Sequence, residues 1–202
     1  MGRACGAISN ALRVVAIAGL AFGASGAPAQ DRAYNDPAQV GARFTFDPAI
    51  WRMSPPNPSN GILLACIAEG CRPDPFPASA RCQMAFRVNG NPKGLKDTAA
   101  YLSTIDQPFY LRMQAAFMAA PMPPVRGHPY QGFRPCATRP QAMCAKVALH
   151  RRGETPGLGV VSLEVHGTHL IEGDCHFFDE SLPRAPALWE SFLSGLALDS
   201  PP

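Results

Sequence analysis

The sequence predicts a single α+β domain: an antiparallel sheet with helices packed against it and disulfides tying it together. Short runs that alternate apolar and polar residues read as strands, whereas 95–120 and 186–196 carry apolar residues at helical spacing. Strands gathered into hairpins and interrupted by a helical segment, rather than alternating strictly with helices, mark the α+β class. After an N-terminal leader, six of the seven cysteines remain, an even set suited to pairing.

The leader comes first in the chain. Arg3 and Arg13 bracket a basic start, Val14 to Ala24 is apolar and uncharged, and Ala27-Pro28-Ala29 has the small-x-small form that a signal peptidase accepts. Residues 1–29 are therefore expected to be a signal peptide, 30–42 a flexible N-terminal segment, and 43–198 the domain. The apolar part of the leader is shorter than the roughly 20 residues a bilayer span needs, so no stable span is expected after cleavage. A periplasmic or secreted location follows, and with it an oxidising environment for the thiols.

Charge excludes one class of partner. Arg3 and Arg13 are two of the 18 basic side chains that face 15 acidic ones, so the remainder is close to neutral. Nucleic-acid binding draws on a clustered basic face. The longest basic run, His150-Arg151-Arg152, reads as a solvated strand end.

Cys66, Cys71, Cys82, Cys136, Cys144 and Cys175 are the disulfide candidates. Sequence alone does not choose among their connectivities. Loop geometry ranks Cys71 with Cys82 and Cys136 with Cys144, each pair flanking a short connection, which leaves Cys66 for Cys175. Zinc is the rival use, and no C-x-x-C pair supports it.

The elements follow in order. Arg43-Phe44-Thr45-Phe46 alternates as a half-buried strand ended by Asp47-Pro48, and Trp51 follows on a loop bounded by Pro55, Pro56 and Pro58, plugging a core edge. Gly61 to Ala68 reads as a buried strand. Its hairpin partner is Gln83 to Val88, with Met84, Phe86 and Val88 on one face and Asn89-Gly90 as the stop. The link from Arg72 to Pro77 is too rich in proline for helix or central strand. Leu95, Ala99, Leu102, Ile105 and Phe109 are spaced helically, and Pro108 divides the stretch. One helix of about 11 residues should end near Asp106 and a second run from Pro108 to Ala119, with the proline in its first turn. Leu111, Met113, Phe117 and Met118 are its expected buried residues.

Beyond the loop Pro121 to Pro129, the runs Tyr130 to Arg134, Met143 to His150 and Leu158 to His166 alternate. In the last, Val161, Leu163 and Val165 share one face while Ser162, Glu164 and His166 share the other, as in a strand with one wet side. Gly167-Thr168 turns the chain, His169 to Phe178 returns as a strand, and Pro186 to Leu196 forms a helix burying Leu188, Trp189, Phe192, Leu193 and Leu196.

An aromatic strand followed by Pro and Trp (Phe44, Phe46, Pro48, Trp51), then a hairpin, helix, antiparallel strands and a C-terminal helix with Trp189 and Phe192, resembles the Mog1/PsbP-like fold. The likeness is one of topology and spans about Tyr34 to Leu198. Members of that group are mostly non-enzymatic binding or assembly proteins, so the resemblance implies a partner rather than a reaction.

Catalytic signatures are not found. No Gly-x-Ser-x-Gly elbow occurs and Ser162 sits mid-strand; Gly153, Gly157 and Gly159 lack the lysine and hydroxyl of a phosphate loop. Paired cysteines leave no thiolate nucleophile. One cluster has ligand chemistry: His166, His169, Asp174 and His176, with Glu172 nearby, crowd a hairpin tip and are candidate metal ligands. Glu164 with Glu172 is the candidate acid and base pair. The expectation from sequence is thus an exported, non-catalytic binding or assembly protein of the cell envelope, with no cofactor and with a protein or envelope component as partner. Two alternatives stand beside it: a metal-dependent hydrolase using the His166 to His176 cluster, and a secreted inhibitor presenting the Arg72 to Pro77 loop with Phe76 at its tip.

Overall fold

Antiparallel hairpins stack side by side around the pairing of two long strands. The computed structural model describes residues 34–35, 40–54, 61–72, 79–119, 126–150 and 156–199. Among these, β3 (Trp51–Met53), β4 (Gly61–Cys66), β5 (Ala80–Arg87), β6 (Arg126–Pro135), β7 (Met143–His150), β8 (Pro156–His166) and β9 (His169–Phe178) form a seven-stranded sheet. Its order is β3-β4-β5-β9-β8-β7-β6, antiparallel at every step. A smaller sheet sets β2 (Ala42–Phe44) between β1 (Tyr34–Asn35) and β10 (Leu196–Leu198). The proposed leader 1–29 and the 73–78 segment carrying Phe76 lie outside the described residues.

Strand alternation gives the large sheet two faces. On the first, Met84, Phe86, Ile171 and Phe177 pack beneath α3 (Ala185–Ser194) together with Trp51 and Phe44. Phe192 sits at the centre of that layer, 5.3 Å from the Phe44 ring and 6.3 Å from the Trp51 ring, and the Trp51 indole N–H donates to Ser191 Oγ at 3.3 Å. On the second face, Val161, Leu163 and Leu170 pack beneath α1 (Thr98–Leu102) and α2 (Gln107–Ala119), where Leu102 and Leu111 are buried.

Trp51 plugs the core as expected, 1% exposed, but from a strand rather than a loop: it pairs with Cys66 in β3. β8 has no wet side. Ser162, Glu164 and His166 are buried as well, with Leu198 and Asp199 at the end of β10 beside Glu164 and His166, and Gly41 at the start of β2 beside His166. Val88 is exposed, since β5 ends at Arg87 and Asn89 takes the left-handed turn conformation, φ +55.

The central helix is also shorter than its periodicity implies. Asp97 caps α1 by accepting from the Ala100 N–H, and the turn ends where Ser103 and Thr104 donate their hydroxyls back to the carbonyls of Ala100 and Tyr101. The chain starts again at Gln107 with Pro108 in the first turn of α2. At the other end of the domain Gly195 stops α3 at Ser194: a Cβ there would lie 2.0 Å from the Thr45 carbonyl oxygen, so only glycine lets the helix end approach β2 this closely. Leu196 is therefore buried from β10, not from the helix.

The six cysteines form three disulfides among the described residues, Cys66–Cys71, Cys82–Cys175 and Cys136–Cys144. The last agrees with the loop ranking and the other two do not. Cys82 lies directly opposite Cys175 on β5 and β9, whereas Cys66 on β4 is separated from β9 by β5. Two strand spacings come to about 9 to 10 Å, beyond the roughly 7 Å that a disulfide bridges between Cα atoms. Cys66 instead closes on the turn that follows its own strand.

Loop length then ranks the three bridges. Replacing Cys82 and Cys175 together by Ala, which opens a separation of 93 residues, should cost about 4 to 5 kcal/mol. The Cys66→Ala/Cys71→Ala pair, separation 5, should cost about 2 kcal/mol by the same estimate. Urea unfolding of the two variants measures the difference.

Candidate functional site

The β8–β9 hairpin carries every ionisable residue singled out by sequence, and its register separates them. His166 faces His169 at the closing pair of the hairpin. Residues of β9 then alternate: Glu172, Asp174 and His176 lie on the α2 face with Leu163, Val161 and Gly159 opposite them, while Glu164 and His166 lie on the α3 face with Val160 and Ser162. The sheet therefore stands between the His166/His169 pair and the Asp174/His176 pair, and the four do not converge on one point. Among the described residues no three His, Cys, Asp or Glu side chains come together as metal ligands do. The same alternation puts Glu164 and Glu172 on opposite faces, so they do not form an acid and base pair.

Glu164 and Glu172 are each occupied by a partner of their own. Glu164 is held by both edges of the Arg139 guanidinium, Nε to Oε2 and Nη2 to Oε1 at 3.0 Å, while Nη1 donates to the Leu196 carbonyl at 2.8 Å. That fork ties β8 to β10. With side chains only 12% and 5% exposed, Arg139 and Glu164 form a desolvated, bidentate pair. Glu172 pairs with Arg87 Nε from β5 and accepts the Tyr110 hydroxyl of α2 at 3.1 Å, and Gln114 donates to that hydroxyl oxygen at 3.1 Å. Burial, reinforced by Glu172, holds the Tyr110 phenol above its ordinary value, so it stays a donor at all working pH.

Among the described residues Asp174 has no such cation. Burial, then the neighbouring Glu172, push its carboxyl up to about 7. A carboxyl poised there has the proton affinity of a general acid or base, yet its cross-strand neighbours, Gln83 and Val161, supply neither nucleophile nor base. On the other face burial holds His166 below the usual imidazole value against the pull of Glu164, and its Nε2 makes no hydrogen bond among the described residues. His169 Nδ1 accepts from the Asn89 N–H at 3.3 Å, and the His176 ring lies 5.8 Å from Phe178. The hairpin is built as internal wiring between layers.

Sequence reasoning missed the outward face of α2. Leu111 is buried, Tyr110 and Gln114 are half-buried towards the sheet, and this phase turns Phe109 and Met113 outward, 55% and 54% exposed. Met113 was expected in the core. The signal was present in Pro108: placing it in the first turn fixes the phase of α2 and sets 109 and 113, one turn apart, opposite Leu111.

No family model matches this chain, and no curated protein sequence does. Solved structures do. The cyanobacterial PsbP of Synechocystis is 11% identical, with a TM-score of 0.50 over 88% of this chain and 99% of that one. The fold is PsbP-like. The Ran-binding protein Mog1p of Saccharomyces cerevisiae is 5% identical, with a TM-score of 0.47 over 79% of this chain and 91% of that one. Among the described residues no helix is long and apolar enough to cross a membrane.

Substitutions on the two faces test this wiring. Arg139→Ala strands a buried Glu164 charge and should cost about 3 to 5 kcal/mol, whereas Arg139→Met with Glu164→Gln should recover most of it; chemical denaturation of the three proteins decides. Asp174 tests the other layer. Its folded value of about 7 exceeds the unfolded carboxylate value, so its contribution is fully present below about pH 4 and is lost as the pH rises through about 7. Asp174→Asn should match the wild type near pH 4 and exceed it at pH 8 by on the order of 2 kcal/mol, discounted for the water that reaches this half-buried group. Comparing the two proteins at each pH cancels the opposite trend from His166.

Proposed function

We propose that the protein is an exported, non-catalytic binding or assembly protein of the cell envelope, and that it meets a protein partner through the outward face of α2. The observation that carries this reading is the pair Phe109 and Met113, two large apolar side chains exposed one helical turn apart. Exposed apolar side chains grouped on one helix face are the usual mark of a protein contact, and a flexible methionine beside an aromatic ring adapts to a partner surface. The chemistry of the interior supports the same reading: Glu164 and Glu172 are engaged by Arg139 and Arg87 and lie on opposite faces of the sheet. Export rests on the leader pattern of residues 1–29 and on three disulfides, a covalent framework typical of oxidising compartments.

The reading has two measurable parts. Intact mass of protein purified from its native source should begin at Gln30 and show no free thiol; a retained Met1 refutes export. A photo-crosslinking residue at the exposed position Arg112, between the two apolar side chains, should capture a discrete envelope protein. Phe109→Asp with Met113→Asp should abolish that adduct while shifting stability by less than about 0.5 kcal/mol per site. An adduct that survives the double variant removes α2 as the contact.

A further inference from the structure

On the face of the sheet opposite α2, we propose that the cleft between α3 and the β6–β7 hairpin binds a small amphipathic carboxylate, an organic acid with one ring or a short chain as its apolar body. α3 covers the sheet as far as Val160 on β8, and the strip over β7 and β6 is left as a cleft of about 330 Å³. Small-ligand sites run from roughly 300 to 1,000 Å³, so this one fits a compact ligand. Its floor is apolar: Val160, Leu158, the Cys136–Cys144 bridge and the Trp189 ring.

Charge complementarity selects the ligand's other end. Lys146 lies opposite Val160 in the sheet and Arg134 opposite Cys144, so both long side chains rise from the face that carries the cleft. Both are exposed, and among the described residues neither is in an ion pair. The acid on the rim, Glu190, accepts the Thr138 hydroxyl and keeps its charge, so the lining carries two cations against one acid. An excess of positive charge above an apolar floor favours an anionic group attached to an apolar body, and Arg134 offers a carboxylate its planar fork. Gly132 leaves the mouth open: a Cβ at that position would meet nothing within 4 Å.

The cleft is independent of the α2 surface, and its occupant is independent of the protein partner proposed above. The two tryptophans provide an internal control, since Trp189 lines the cleft while Trp51 is 1% exposed beneath α3. Titrating ¹⁵N-labelled, disulfide-intact protein with 4-phenylbutyrate should move the Trp189 indole signal and leave that of Trp51 in place. The uncharged 4-phenylbutyramide should bind more than about tenfold more weakly, as loss of a charge-assisted contact requires. Lys146→Glu with Arg134→Glu should weaken the acid by a similar factor, and Gly132→Phe should abolish the shift, with melting temperatures unchanged at these exposed sites.

Equal binding of acid and amide, a response in Gly132→Phe, or no movement of Trp189 at millimolar acid overturns the proposal. Saturation by a short acidic peptide where phenylbutyrate fails also overturns it, by assigning the cleft to a protein segment. Loss of the α2 crosslink leaves every one of these readings unaffected, so the two proposals fail separately.

Discussion

Because side chains alternate along a strand, the register of β5 against β9, held where Cys82 faces Cys175, decides which residues meet α3 and which meet α2. A slip of β9 by one residue would carry Ile171 and Phe177 out of the aromatic layer and turn Glu172, Asp174 and His176 towards it, while Phe86 stayed in place. The covalent tie lies at the middle of the sheet, in the pair that joins the N-terminal hairpin β4–β5 to the hairpins formed from β6 to β9. Everything else is hung from that junction. α3 closes one face through Phe192, and α1 and α2 close the other through Leu102 and Leu111.

Covering both faces forces the sheet to bury groups that an open sheet leaves in water. Each is answered differently. Glu164 is matched by a two-pronged guanidinium that also reaches the last strand, and Glu172 is shared between Arg87 and a tyrosine of α2. Asp174 and His166 shift towards their neutral forms instead, burial outweighing the pull of Glu164 on His166. Their opposite directions mean that acid favours the layer beneath α2 and opposes the packing around β10.

The same architecture separates two surfaces. α2 turns Phe109 and Met113 outward on one side, and the margin of α3 leaves a positively rimmed cleft on the other. A PsbP-like sheet with helices on both faces has room for two unrelated contacts, because the central strands insulate one face from the other. The chemistry of the two surfaces differs accordingly: apolar on α2, concave with an excess of positive charge beside α3.

Much of the architecture was legible in the sequence because period two and helical spacing are local. The strands from Gly61, Gln83, Met143, Leu158 and His169, the C-terminal helix, and the break at Pro108 all follow from neighbouring residues, as does the Cys136–Cys144 bridge across its short loop. Long-range contacts escaped it. The sequence does not say that β9 returns beside β5, so Cys82 was matched with the wrong cysteine and the hairpin's histidines and acids were imagined on one side. Nor does it say that β10 and β2 cover Glu164 and His166, or that Gly195 must end α3 against Thr45. By itself the chain determined most strands of the large sheet, the positions of the helices and how many sulfurs are paired, but not the short strands that hold Trp51 and Leu196. Only the tertiary structure decided which faces those strands present, because facing is a property of register, and register is set by partners far away along the chain.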